Sequence, residues 1–151
     1  MKQIEEFIKN FAESEIRSIA KIKNMYFLAD GSILEAKEKI SQEPFSMGLF
    51  LGEIKNKKFF PSVNLLDMVS KISDKKVFVN EKTAWLFLCK RDIFGKGIVK
   101  ANSENGFVLV QNERDENLGY GEIVDDLSKK DKVVIKNLFD RGDFLRRERN
   151  H

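Results

Sequence analysis

Residues 75–100 read KKVFVNEKTAWLFLCKRDIFGKGIVK. Val77-Phe78-Val79 has the β-branched and aromatic composition of a short strand. Asn80 then caps a helix over Glu81–Cys89, with Trp85 and Leu88 turned inward and Lys90-Arg91 placed where cations suit a helix C-terminus. Gly95-Lys96-Gly97 predicts a tight turn that brings backbone close to a ligand or a neighbouring strand. Downstream, Ile98–Lys100, Phe107–Gln111, Gly119–Val124 and Val133–Ile135 read as strands, with Asn105-Gly106 and Asn117 at the turns. Leu138–Phe144 closes the fold before a polar tail, Leu145–His151. Short strands at roughly ten-residue spacing, with one helix between the first two, predict a small β-barrel.

Upstream the pattern changes. Ile4, Phe7, Ile8 and Phe11 recur with the period of one helical face. Asp30-Gly31 between apolar runs predicts a hairpin over Met25–Glu35, followed by a short helix from Glu35 to Ser41. Gly48–Val63 repeats the hairpin logic about Asn56-Lys57, and Ser62 or Asn64 caps a helix whose apolar side is Leu65, Leu66, Met68, Val69 and Ile72. Ser73-Asp74-Lys75-Lys76 is a polar joint. The expected class is therefore α+β: an N-terminal α/β domain with an antiparallel sheet over 1–73, and a C-terminal small barrel over 74–151.

Composition narrows the function. The chain has 151 residues, 42% hydrophobic and 34% charged, with thirteen phenylalanines that argue against disorder. Its one cysteine excludes a disulfide or a Cys-based zinc site within one chain. Met1–Asn10 lacks the apolar core of a secretory signal, and the longest apolar run, Ala84–Cys89, is six residues. A membrane span needs about 20. A cytoplasmic protein without a membrane partner is expected.

The net charge of +3 conceals sign blocks: +1 over Met1–Ser73, +5 over Lys75–Lys100, −5 over Ala101–Asp131 and +3 over Lys132–His151. Such asymmetry suits a polyanion partner; a salt-bridged, solvated surface would look the same.

Catalysis finds little support. The one histidine, His151, is the last residue, where chain ends fray. Cys89 ends an apolar run, as a small core hydrophobe would, and has no partner to form a thiolate. Gly95-x-Gly97 and Gly119-x-Gly121 stop short of a dinucleotide or phosphate-loop fingerprint. Glu113, Asp115, Glu116, Asp125 and Asp126 lack the spacing of a calcium loop. No catalytic residue, cofactor or metal is expected.

The cations are more informative. Arg146, Arg147 and Arg149 crowd the C-terminus, while Lys90, Arg91, Lys96 and Lys100 follow the predicted helix and glycine turn. If barrel closure pairs the last strand near the first, both groups share one rim. Arginine forks bind phosphate and stack on bases, which suits single-stranded RNA. Arg146, Arg147 and Arg149 also fit a solubilising tail. An alternative function is a protein-interaction adaptor docking through the N-terminal domain, with Tyr26, Phe59 and Phe60 as anchors unless they form sheet core.

The run SMGLFLGEIKNKKFFPSV over 46–63, then Leu66-Asp67 and Lys76–Val79, resembles the Nip-seven family of large ribosomal subunit biogenesis factors. Trp85–Leu88, Asp92–Gly97, Leu118–Gly121 and Asp140–Glu148 extend the resemblance to the C-terminus, in a short form that looks archaeal. It implies an N-terminal α/β domain fused to a PUA domain, the small RNA-binding barrel named for pseudouridine synthases and archaeosine transglycosylases. It further implies no catalysis, a role in pre-rRNA processing and large-subunit assembly, U-rich RNA as ligand and ribosome-assembly proteins as partners. The positions matching the family's RNA-contacting basic residues are Arg146 and Arg147, with Arg149 one step on. Lys90, Arg91, Lys96 and Lys100 are added on physical grounds. A monomer is expected.

Overall fold

The computed structural model describes residues 2–13, 19–28 and 49–142. The expected Asp30-Gly31 hairpin, the Glu35–Ser41 helix and Arg146, Arg147 and Arg149 lie outside the described residues. The chain divides into two compact units, Met1–Val69 and Ser70–His151. The class is α+β, as the sequence predicts.

In the first unit, helix α1 (Lys2–Lys9) precedes strands β1 (Ile19–Ile22), β2 (Met25–Leu28), β3 (Leu49–Lys55) and β4 (Lys58–Pro61). They form an antiparallel sheet in the order β1-β2-β3-β4. Ile4, Phe7, Ile8 and Phe11 are all buried, as their spacing requires. Phe7 packs on Phe59 with ring centroids 5.3 Å apart, and Tyr26 meets the same ring at 5.7 Å. Tyr26 is thus sheet core and Phe59 partly covered, whereas Phe60 stays exposed. Asn56 and Lys57 both take positive φ, 51° and 64°, the conformation of a two-residue type I′ hairpin turn. Helix α2 (Val63–Ile72) begins where Ser62 Oγ accepts from Leu65 N at 3.2 Å, so Ser62 is the cap. Asn64 instead donates to the Phe50 carbonyl.

The second unit contains β5 (Lys76–Val79), α3 (Glu81–Leu88), β6 (Ile93–Phe94), a 3₁₀ turn (Gly95–Gly97), β7 (Ile98–Ala101), β8 (Gly106–Gln111), β9 (Asn117–Ile123) and β10 (Val133–Asp140). The sheet order is β6-β10-β9-β8-β5-β7, antiparallel except for β5 beside β8. Its two edge strands, β6 and β7, are halves of one segment joined by the glycine turn, so the sheet curls upon itself. Closure therefore differs from the expectation: the last strand, β10, pairs with β6 and β9 and not with β5. β10 also runs on to Asp140, past Ile135, because a register shift between Asn137 and Phe139 carries the polar Lys136-Asn137 step through the ladder.

The core gathers Val77, Val79, Ala84, Phe87, Ile93, Val108, Val110, Leu118, Val134 and Ile135. Two expectations for α3 fail here. Trp85 is exposed and Cys89 is exposed, while Ala84 and Phe87 are buried and Leu88 is half-buried. Ala84–Cys89 is apolar on every side, so periodicity could not select the buried stripe, and Phe87 filled it.

Tyr120 of β9 lies between Phe107, at 5.9 Å, and Phe139, stacked at 6.5 Å. Burial pushes its hydroxyl from 10.0 up to about 12. The unfolded chain ionises first, so this contribution to stability is complete below pH 10 and is lost as pH rises towards about 12. The loss should approach about 1.4 kcal/mol per pH unit in that window. Tyr120→Phe removes the ionisation; its urea midpoint should fall less steeply than wild type between about pH 9 and about pH 11. Equal losses would show that Tyr120 ionises alike in both states.

Candidate nucleic-acid interface

Helix α3 organises the cations of the second unit. At its start, Asn80 Oδ1 accepts from Thr83 N at 2.8 Å, the expected cap. Asn80 N donates to the Gly97 carbonyl at 3.0 Å, and a Cβ at Gly97 would strike the Thr83 hydroxyl. The glycine turn therefore seats directly under the helix N-terminus. At the other end, Arg91 N reaches Leu86 O at 3.0 Å and Lys90 N reaches Phe87 O at 3.1 Å, the paired bonds of a Schellman termination. Lys90 occupies the left-handed position, φ 69°, where glycine would be least strained. Asn137 Nδ2 adds bonds to Phe87 O at 2.9 Å and Arg91 O at 3.3 Å. A Cβ at Gly142 would strike the Leu88 carbonyl, so Gly142 abuts this same end of α3.

The glycine turn has its own basic neighbours. Lys96 N donates to Lys130 O at 3.1 Å, and Gly95 N to Lys132 O at 3.2 Å. Gly95 lies against the backbone carbonyls of Leu127 and Lys129, which leave no room for a side chain. Three lysines, Lys129, Lys130 and Lys132, thus stand on the loop beside Lys96, and all are exposed. Lys129 bridges Asp125 at 2.9 Å, which holds the Asp125 carboxyl below its ordinary range. The Lys96 ammonium lies 5.8 Å from the exposed Phe94 ring. The sequence reading missed these lysines because Lys129 and Lys130 close the acidic block; the Lys-Lys-Asp-Lys run over 129–132 was the available signal.

The four cations predicted downstream of β5 do not form one group. Lys90 and Arg91 adjoin the C-terminal end of α3, and Lys96 with the Lys129–Lys132 loop adjoins its N-terminal end. An eight-residue helix separates them by about 12 Å. Lys100 belongs elsewhere: it lies across from Phe78 in the β5–β7 ladder, 5.7 Å from that ring. Its charge, with that of Lys76, acts on Asp115, whose carboxyl is held low mainly by the Gln111 amide. Asp115 also bridges Lys76 at 3.2 Å, and Glu116 bridges Arg114 at 3.0 Å, so these acids are engaged with cations. No described helix is long and apolar enough to cross a membrane.

Residues 75–149 match the UPF0113 PUA domain family. A UPF0113 protein of Archaeoglobus fulgidus is 36% identical over 115 residues, covering 72% of this chain and 66% of that protein. A UPF0113 protein of Aeropyrum pernix is 31% identical over 130 residues, covering 84% of this chain and 71% of that one. The chain belongs to the UPF0113 family. It spans about two thirds of the length of these archaeal members. The UPF0113 fold extends to a conserved PUA domain protein from Thermoplasma acidophilum, with a TM-score of 0.61 at 18% identity over 97% of this chain and 92% of that one. A hypothetical protein from Pyrococcus horikoshii aligns with a TM-score of 0.54 at 19% identity over 92% and 90% of the two chains. The PUA domain of this UPF0113 chain is C-terminal, and PUA domains as a class bind RNA.

Proposed function

We propose that this UPF0113 protein binds single-stranded, U-rich RNA without catalysis and serves pre-rRNA processing or large-subunit assembly. In this scheme 1–73 is an N-terminal domain open to ribosome-assembly partners, 74–151 is the RNA-binding domain, and the protein acts as a cytoplasmic monomer. The observation that carries it is the pair of basic clusters at the two ends of α3, Lys90-Arg91 beside Gly142 at one end and Lys96 with the Lys129–Lys132 loop at the other; Arg146, Arg147 and Arg149 are assigned to the same role from the sequence. Lys96 and the Lys129–Lys132 loop supply phosphate contacts at the other end, and Lys100 joins them only as long-range potential.

The test is fluorescence anisotropy of a short labelled U-rich RNA at two or more salt concentrations. Neutralising about four phosphates gives a log–log salt slope near −3 for a single strand. Arg146→Ala/Arg147→Ala should reduce that slope to about −1.5 without moving the melting temperature. Lys90→Gly should shed about one phosphate contact while raising stability by about 0.5–1 kcal/mol, because it relieves the left-handed strain. A wild-type slope near zero sinks the proposal and moves the function to a protein partner of the N-terminal domain.

A further inference from the structure

Trp85 is the chain's one tryptophan and, at 65% exposed, the most exposed large apolar side chain among the described residues. It stands midway along α3, whose buried stripe is filled by Ala84 and Phe87. The neighbours one turn away are Glu81, Lys82, Leu88 and Cys89; Leu88 is half-buried and packs against the core, and the other three are exposed and none is a large apolar group. Docking a protein hot spot requires a wider apolar ring that excludes water. A single exposed flat π-system, with Leu88 turned to the core, suits one flat, uncharged ring instead.

The second observation is position. Cations stand at both ends of α3, about 12 Å apart along its axis. A strand whose phosphates engage both ends and that follows the side of the helix where Trp85 is exposed carries its bases across that ring. We propose that Trp85 is a stacking platform for an unpaired nucleobase, between the phosphate contacts at Lys96 and the Lys129–Lys132 loop and those at Lys90-Arg91; this rests on the RNA-binding function proposed above. Base–indole stacking tolerates any base, so Trp85 supplies affinity, and a preference for uridine must come from other groups.

The single tryptophan makes the contact directly visible. Titrating the full chain with a short oligouridylate should quench Trp85 fluorescence in step with binding. Trp85→Ala should weaken binding about 5- to 150-fold, the range of one stacked base, while leaving the salt slope unchanged because no charge is removed. Trp85→Phe should keep most of the affinity, and far-UV circular dichroism should show both variants folded. An abasic ribose-phosphate oligomer of equal length should bind wild type and Trp85→Ala alike. Steeply salt-dependent binding with no quenching, and equal affinity for Trp85→Ala, overturns the platform and leaves RNA binding intact. Absence of salt-dependent binding by wild type overturns both.

Discussion

Gly119→Ala is expected to destabilise the second unit by about 4 kcal/mol, a large share of the 5–15 kcal/mol typical of a whole domain. Gly119 sits in β9 at φ +145°, a conformation that side chains rarely adopt. It pairs with Asp140 of β10 and Val110 of β8, so neither neighbour can withdraw without breaking a ladder. A Cβ there would strike the Phe139 carbonyl and lie 2.9 Å from Asp140 Cα. The penalty thus combines backbone strain with a collision against backbone, which cannot rotate away as a side chain would. Gly106→Ala is the matched comparison. It also has positive φ, +77°, but its Cβ would meet only the far end of Lys75 at 3.4 Å. It should cost about 1 kcal/mol. Urea unfolding followed by far-UV circular dichroism separates the two; equal midpoints would show that the collision is relieved by shifting β10.

Gln111→Leu should cost about 3 kcal/mol, through polar groups left unpaired and not through lost volume. Gln111 is fully buried. Its Nε2 donates to Ser70 Oγ at 3.0 Å and to Asp115 Oδ1 at 2.9 Å, and its Oε1 accepts from Asn117 Nδ2 at 2.7 Å. Asn117 is buried too, and its Oδ1 has no partner among the described residues. Removing Gln111 leaves Asn117 still tied to Gly119 O at 3.0 Å but strips its other buried bond. Adding Asn117→Leu to Gln111→Leu should therefore cost less than the sum of the two single changes, since a jointly apolar pair leaves fewer orphans. Strict additivity in the double-mutant cycle would mean that the two amides do not depend on each other.

Where the determining interactions lie within a few residues, the sequence was legible. The α1 face follows from four apolar positions at helical spacing, the Asn56-Lys57 turn from a polar pair between two apolar runs, and the Asn80 cap from one side chain and the amide three residues on. Strand β1 left little trace: four residues, Ile19–Ile22, joined to β2 through Lys23-Asn24 without a glycine, fall below any local pattern. β6 has two residues, and nothing in Ile93-Phe94 states that their partner is β10, some forty positions away.

The candidate interface divides in the same way. Lys90, Arg91 and Lys96 were visible as a basic run after a helix, and glycines 95 and 97 as a site of close backbone approach. The resemblance, in turn, rested on motifs spread across both halves of the chain. Other features depended on folding at longer range. Lys129, Lys130 and Lys132 join Lys96 because two backbone hydrogen bonds draw their loop to the glycine turn. Lys100 leaves that group because strand pairing sets it opposite Phe78. Trp85 faces water because Ala84 and Phe87 fit the space inside the sheet. The class, the Asn80 cap, the Asn56-Lys57 turn and the available cations are legible in the chain because each depends on neighbouring residues, whereas Asn117, expected at a turn, is buried in β9. Which cations stand together and which aromatic ring stays exposed follow instead from pairing and packing between segments that are distant along the chain, which no local stretch encodes.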